Sequence, residues 1–210
     1  MLKGKEKTEV NIWSSGNLLI NFKELSLNLN KNLNTIKAMK KLLKILLAIV
    51  AVIVIAMFIM GKSYHFETSI VVNAPAEKVY SHMNSMKSFN EWNPWMKLDP
   101  NLKLEYSGTS GAVGDQYCWD GNDEAGKGCH QITALVPNQK QSTKMIFYKP
   151  FESDATSDLI LTPEGNNTKV TWTMDCELDY PMNLMKLFMD SQMEKSYGGG
   201  LKTLKAISEK

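Results

Sequence analysis

From Leu42 to Met60 the only charged residue is Lys44, and between Ile45 and Met60 no polar residue interrupts the run. A helix on the surface of a soluble domain shows a polar face, and this stretch has none. At about 1.5 Å per residue it reaches roughly 28 Å, close to the hydrocarbon thickness of a bilayer at about 30 Å. A different pattern follows. "HFETSIVV" is rich in β-branched residues and predicts a strand, with Asn73 as a cap for a short helix in "APAEKVYSHM". From Leu102 on, six segments recur at about ten-residue spacing: "LKLEYS", "GDQYCWDG", "GKGCHQITAL", "KQSTKMIFY", "ATSDLILT" and "TKVTWTMDCEL". Between them lie "GNDEAG", "VPN" and "PEGNN", which carry the Gly, Pro, Asn and Asp that reversals need. The chain closes in a helical region opened by Pro181. Its apolar positions Leu184, Leu187 and Phe188 recur at helical spacing, as do Leu201, Leu204 and Ile207 beyond the glycines 198–200, which either interrupt the helix or let it approach the sheet closely.

The expected architecture is α+β. One strand, one or two short helices and six more strands form a seven-stranded antiparallel sheet, because sequential strands joined by short turns pair as neighbours, and one long C-terminal helix covers a face of it. One transmembrane helix precedes this domain.

The apolar run lacks the small-residue cleavage pattern of a signal peptide, since "MFIMGKSYHF" follows it, so residues 39–61 read as an uncleaved anchor. Lys37, Lys40, Lys41 and Lys44 precede the span and only Lys62 closely follows it. The positive-inside bias then leaves the N-terminus cytoplasmic and residues 62–210 periplasmic or otherwise extracytoplasmic in a bacterium. Residues 1–38, with the near-repetitive "SLNLNKNLNTIK", are either a cytoplasmic extension able to form a short amphipathic helix on the membrane or a segment upstream of the true start at Met39-Lys40-Lys41.

Charge narrows the partners. Residues 1–44 hold nine lysines against three glutamates, whereas residues 45–210 hold fifteen lysines against nineteen acidic residues. An acidic domain without clustered cations is not expected to bind nucleic acid. All 24 basic residues are Lys, so no guanidinium can clamp a phosphate or carboxylate in bidentate fashion. No G-x-S-x-G, H-E-x-x-H or phosphate-cradling glycine loop is present, and the three cysteines have no C-x-x-C spacing, so neither a metal site nor a cofactor is expected. "DGNDEAG" is oxygen-rich, but Ala125 stands where a calcium loop needs glycine, and it reads as a solvated turn.

The stretch "EWNPWMKLDP" is too proline-broken for a regular helix or a central strand and carries two of the five tryptophans, Trp92 and Trp95. Together, "SIVVNAPAEKVYSHMNSMKSFNEWNPW", the G-x-x-G-D-x-Y-x-W-x-G of residues 111–121, "TKVTWTM" and "GLKTLK" resemble the helix-grip superfamily called SRPBCC or START-like. The resemblance is closest to its bacterial polyketide cyclase/dehydrase and lipid-transport branch and runs from about Tyr64 to Ser208. It implies a sheet wrapped around the C-terminal helix with an elongated apolar cavity between them, and a Trp92–Trp95 loop that helps to close part of that cavity.

The hairpin register assigns faces within that frame. If "CWDGNDEAGKGC" turns between Asp123 and Glu124, Tyr117 faces His130, Trp119 faces Gly128 and Cys118 faces Cys129, and opposed residues share a side of the sheet. Tyr117, Trp119, His130 and Ile132 then line the inner face. Cys118 and Cys129 lie on the outer face as a candidate disulfide, with Cys176 left over. On the last strand the same alternation turns Val170, Trp172 and Met174 inward. The expected ligand-binding set is Trp92, Trp95, Tyr117, Trp119, His130, Ile132, Trp172 and Met174. The Tyr117–His130 pair either anchors a ligand's polar group or satisfies its own hydrogen bonds, and Met182, Met185, Met189 and Met193 on the final helix read mostly as core.

Three functions remain open on the sequence. The first is membrane-anchored binding of a hydrophobic small molecule or lipid. The second is a cyclase or dehydratase using Tyr117, His130 or Asp115 as acid or base, against which stands the scarcity of titratable residues converging on the inner face. The third is a structural or interaction domain whose cavity is filled by its own side chains.

Overall fold

The structure, a computed structural model, describes residues 12–210, with side chains from Glu24 onward. The first eleven residues of the expected N-terminal extension lie outside the described residues. The chain divides into two compact units, with the break after Ala56.

The first unit is helical. Helix α1 runs from Ile12 to Met60 without interruption, so among the described residues no separate short helix is marked off in the extension. Its segment Glu24–Met60 is long and apolar enough to cross a membrane.

The second unit is built on seven antiparallel strands: β1 Ser63–Val72, β2 Lys103–Ser107, β3 Gln116–Asp120, β4 Lys127–Val136, β5 Lys140–Lys149, β6 Ser153–Glu164 and β7 Asn167–Glu177. Their order is β1-β7-β6-β5-β4-β3-β2, so every sequential pair from β2 to β7 is a neighbour and β1 closes beside β7. This is the meander that short turns dictate. Between β1 and β2 lie two short helices, α2 Ala76–Ser81 and α3 Met86–Asn90, and a 3-10 turn at Pro94–Lys97. Helix α4, Lys186–Ser208, follows a second 3-10 turn at Met182–Met185.

Helix α4 buries Tyr197, Gly200, Leu201, Leu204 and Ser208, one stripe of a helix of about 3.6 residues per turn, against the sheet. The opposing strands supply Phe66, Leu159, Leu161, Val170 and Trp172, all buried. The glycines 198–200 do not break the helix. Gly200 serves the close approach instead: a Cβ there would meet Trp172 Cζ3 at 2.8 Å and Pro94 Cδ at 3.1 Å, whereas one on Gly199 would meet nothing within 4 Å.

Two local expectations are corrected. Asn73 does not cap α2; the N-cap is Pro75, whose carbonyl accepts from Lys78 and Val79, while the Asn73 backbone N–H donates to Glu209 Oε1 at 2.6 Å and ties the end of α4 to the end of β1. The helical spacing of Leu187 and Phe188 does not mark core either, because these side chains remain 67% and 76% exposed. The sheet face that α4 covers is taken up by its C-terminal half, and the first turns extend past it. Of the final-helix methionines, Met189 and Met193 pack against the core while Met185 is exposed.

Candidate functional site

The β3–β4 hairpin pairs Gln116 with Gln131, Tyr117 with His130, Cys118 with Cys129 and Trp119 with Gly128. This is the register expected from a turn between Asp123 and Glu124. Alternation then puts Tyr117, His130 and Ile132, all buried, on the side facing α3 and the tryptophan loop, with Gln131 exposed on the other. Cys118 and Cys129 face each other and are joined in a disulfide, and Cys176 is a free thiol whose pKa is raised by burial. Trp119 lies across Gly128: a Cβ on that glycine would stand 2.5 Å from Trp119 Cη2 and 2.4 Å from the Ile146 carbonyl oxygen. A large ring thus covers a residue that has no side chain of its own.

The space between sheet and helix holds a continuous aromatic cluster. Trp172 on β7 is at its centre, with ring centroids 4.1 Å from Tyr197 on α4, 5.2 Å from Trp92, 5.8 Å from Phe89 and 5.9 Å from Trp95. Trp95 also meets Tyr197 at 5.3 Å, and Phe89 carries the cluster on to His130 at 5.3 Å. His130 in turn meets Tyr117 at 5.6 Å, which meets Trp119 at 5.8 Å. Most of these contacts are edge-on, the arrangement favoured by ring quadrupoles. Of the eight residues expected to contact a ligand, six belong to this cluster, Ile132 lies two residues from His130 on β4, and Met174 lies two residues from Trp172 on β7, opposite Phe66, whose ring centroid is 5.5 Å from that of Tyr197.

Three of the indole N–H groups are satisfied from within the fold. Trp92 Nε1 donates to the His82 carbonyl at 2.8 Å, Trp119 Nε1 to the Ala125 carbonyl at 2.9 Å, and Trp172 Nε1 to Ser157 Oγ at 2.9 Å. Buried polar groups almost always have such partners. Among the described residues four buried side-chain atoms depart from this rule, Gln141 Oε1, Asn183 Oδ1, Ser208 Oγ and His130 Nε2, and of these His130, 5% exposed, is the one in contact with the aromatic cluster. Burial alone lowers its pKa to about 3, so the imidazole is neutral at physiological pH. Burial likewise raises the Tyr117 pKa and keeps the phenol protonated.

Asn93, which the sequence reading did not single out, organises this region. Its Nδ2 donates to Tyr117 Oη at 3.1 Å and to Asn90 Oδ1 at 2.9 Å, while its Oδ1 accepts from the Trp95 N–H at 3.1 Å. Asn90 Nδ2 donates in turn to Tyr106 Oη at 3.0 Å. A polar chain thus leads from Tyr117 in the interior to Tyr106, which borders a groove of about 420 Å³ lined also by Lys87, Asn90, Met96 and Leu104. The only sequence signal for this role is an Asn before a Pro between two tryptophans, which marks a cap but not its reach to Tyr117.

Asp115 is buried, and its Oδ2 accepts from the Met86 N–H at 3.0 Å and the Gly111 N–H at 2.9 Å. The carboxylate pins the β2–β3 loop to the start of α3. Asp99 has a similar role at the other end of the tryptophan loop, accepting from the Asn122 N–H at 2.7 Å and the Asn101 N–H at 2.8 Å.

The fold is shared with solved structures of low sequence identity. A protein from Chromobacterium violaceum matches with a TM-score of 0.52 at 16% identity, over 70% of this chain and 97% of its own. A protein from Nitrosospira multiformis matches at 0.52 and 23% identity, over 68% and 94% respectively. Norcoclaurine synthase from Thalictrum flavum, solved with dopamine and hydroxybenzaldehyde bound, matches at 0.55 and 11% identity, over 73% and 90%. Among curated proteins none matches the sequence. The family model described as polyketide cyclase / dehydrase and lipid transport matches residues 63–209, from the first residue of β1 to the end of α4. The helix-grip chain described here belongs to that family.

Proposed function

We propose that this protein is a single-pass membrane protein whose extracytoplasmic helix-grip domain binds a hydrophobic small molecule or a lipid between the sheet and α4. One observation carries the binding reading: His130 Nε2 is deeply buried and without a partner, at the wall of an aromatic cluster. Such a group costs stability unless a partner is supplied, and a ligand's polar head is a partner of the right kind. Affinity comes from burial of apolar ligand surface, at about 25 cal/mol per Å², and orientation comes from His130 and from Tyr117 through its Asn93 bond.

Entry requires the cluster to open. Trp95 is half-buried and held on a four-residue 3-10 turn, and its contacts with Trp172 and Tyr197 are the ones a ligand replaces. The lysines ahead of the apolar helix argue for a cytoplasmic N-terminus, and the tether keeps the domain at high local concentration beside membrane lipids.

Binding is favoured over proton transfer. A base with a pKa of about 3 is poorly matched to neutral pH, and the Asp115 carboxylate is already engaged by two backbone N–H groups. A second reading, a domain filled by its own side chains, draws support from the 4.1 Å contact of Trp172 with Tyr197.

Native mass spectrometry with lipid extraction on the full chain, purified from the envelope of its own host, separates the two. The binding reading expects a defined co-purifying mass that is lost on Trp95→Ala or Trp172→Ala. A folded chain with a clean apo mass favours the filled core.

A further inference from the structure

We propose that the end of the domain nearest the anchor carries a second membrane contact, in which Leu187 and Phe188 on α4 and Phe151 on the β5–β6 turn sit in the interfacial layer of the bilayer. The inference rests on the membrane-anchored reading above and adds a surface to it. Phe188 is 76% exposed, Leu187 67% and Phe151 63%. Three large apolar side chains left in water by a fold that has buried four of its tryptophans or packed them against its core require an explanation.

Their place in the fold supplies it. The second compact unit begins at Met57, so the last turn of the apolar helix belongs to it. The carbonyl groups of that turn are capped from the 3-10 turn at Met182–Met185 and from the first residue of α4: Asn183 Nδ2 donates to the Met57 carbonyl at 2.7 Å and the Gly61 carbonyl at 2.9 Å, and Lys186 Nζ to the Gly61 carbonyl at 3.0 Å and the Met60 carbonyl at 3.3 Å. Leu187 and Phe188 are the next two residues along the chain. The apolar run ends at Met60, so Gly61 and Lys62 stand where hydrocarbon gives way to head groups, and the start of α4 is held at that level.

The register of the sheet brings Phe151 to the same end. Tyr64 pairs with Cys176, and Cys176 with Ala155, so the β5–β6 turn projects from the edge at which β1 begins. The far end of the sheet carries the β2–β3 loop, with Val113 64% exposed. Charge at the anchor end is compatible with a bilayer surface. Asp179 is paired with Lys62 at 2.6 Å, Asp190 accepts from Tyr64 Oη at 2.9 Å, and Lys62 also lies 5.3 Å from the centre of the Tyr180 ring, which packs on Phe58 at 5.1 Å. Lysines and aromatic rings grouped at the end of an apolar helix form the belt that interfacial layers favour. A protein partner would need a reason to meet the domain at this depth, whereas the bilayer is already there by continuity of the chain.

The test uses the full chain in nanodiscs of phosphatidylcholine and phosphatidylglycerol, with nitroxide labels introduced singly by Phe188→Cys, Phe151→Cys, Val113→Cys and Ile53→Cys in a Cys176→Ser background. Power saturation measures the access of oxygen, which concentrates in lipid, and of a nickel chelate, which stays in water. Labels at 188 and 151 are expected to favour oxygen over nickel by several-fold relative to the label at 113. Nickel access at 188 and 151 equal to that at 113 would overturn the proposal, and protection from both reagents would also overturn it by indicating a protein contact. The label at 53 separates the two levels of failure: oxygen-rich there with water-exposed 188 and 151 rejects only the second contact, whereas nickel access at 53 rejects the anchor itself.

Discussion

Trp172 Cζ3 lies 2.8 Å from the point at which a Cβ on Gly200 would stand, so the indole of β7 rests directly on the backbone of α4. This contact sets the distance between sheet and helix at the centre of the aromatic cluster. The neighbouring Gly199 faces open space. Gly200→Ala is therefore expected to destabilise the domain by about 1–3 kcal/mol, since neither a packed indole nor Pro94 can yield without displacing the cluster. Gly199→Ala is expected to stabilise it by up to about 1 kcal/mol through helix propensity. Denaturant unfolding of the two variants reads the contrast, and equal effects would show that the close approach is absent.

His130 makes stability depend on pH. Its folded pKa, lowered by burial to about 3, lies below the ordinary value of 6.5. The unfolded chain then binds the extra proton between these values, so stability is complete above about pH 6.5 and falls as the pH drops toward 3. The loss from this group amounts to roughly 2–3 kcal/mol at pH 4.5. His130→Leu removes this titration, and its melting temperature should change less between pH 7 and 4.5 than that of the parent chain. Parallel melting curves for the two proteins would place the imidazole in contact with water.

The Cys118–Cys129 bridge closes a loop with a sequence separation of 11 and leaves Cys176 free. Thiol titration of the denatured chain should count one reactive group before reduction and three after it. Closing so short a loop is worth about 3 kcal/mol, and reduction should lower the unfolding midpoint accordingly. Three thiols in the unreduced protein from its own host would contradict the bridge.

Much of this arrangement is legible in the sequence because strands obey a period of two. One assumption about a turn, between Asp123 and Glu124, fixes the partners of Tyr117, Cys118 and Trp119, and one alternation turns Val170 and Trp172 inward. Helical spacing is less informative at the ends of a helix. Leu187 and Phe188 follow the same period as Leu201 and Leu204, yet only the latter pair meets the sheet, because the length of the strands decides where a helix runs out of partners. The three glycines look alike in sequence and differ only in what stands opposite. The reach of Asn93 to Tyr117, across 24 residues, depends on a tertiary approach that no local pattern encodes.

Ligand binding requires the interior of the domain to open and admit an apolar molecule beside Trp172. Quenching of tryptophan emission by 9,10-dibromostearate tests this most directly, using the full chain in nanodiscs with Trp13→Phe to remove the indole of the N-terminal segment. Saturable quenching is expected at one equivalent of the brominated acid per chain, weakened by His130→Leu and largely lost when Trp172→Phe is combined with Trp95→Phe. Quenching that rises without saturation, in proportion to bromine dissolved in the bilayer and indifferent to these substitutions, would mean that the rings stay closed upon one another and that the domain is filled by its own side chains.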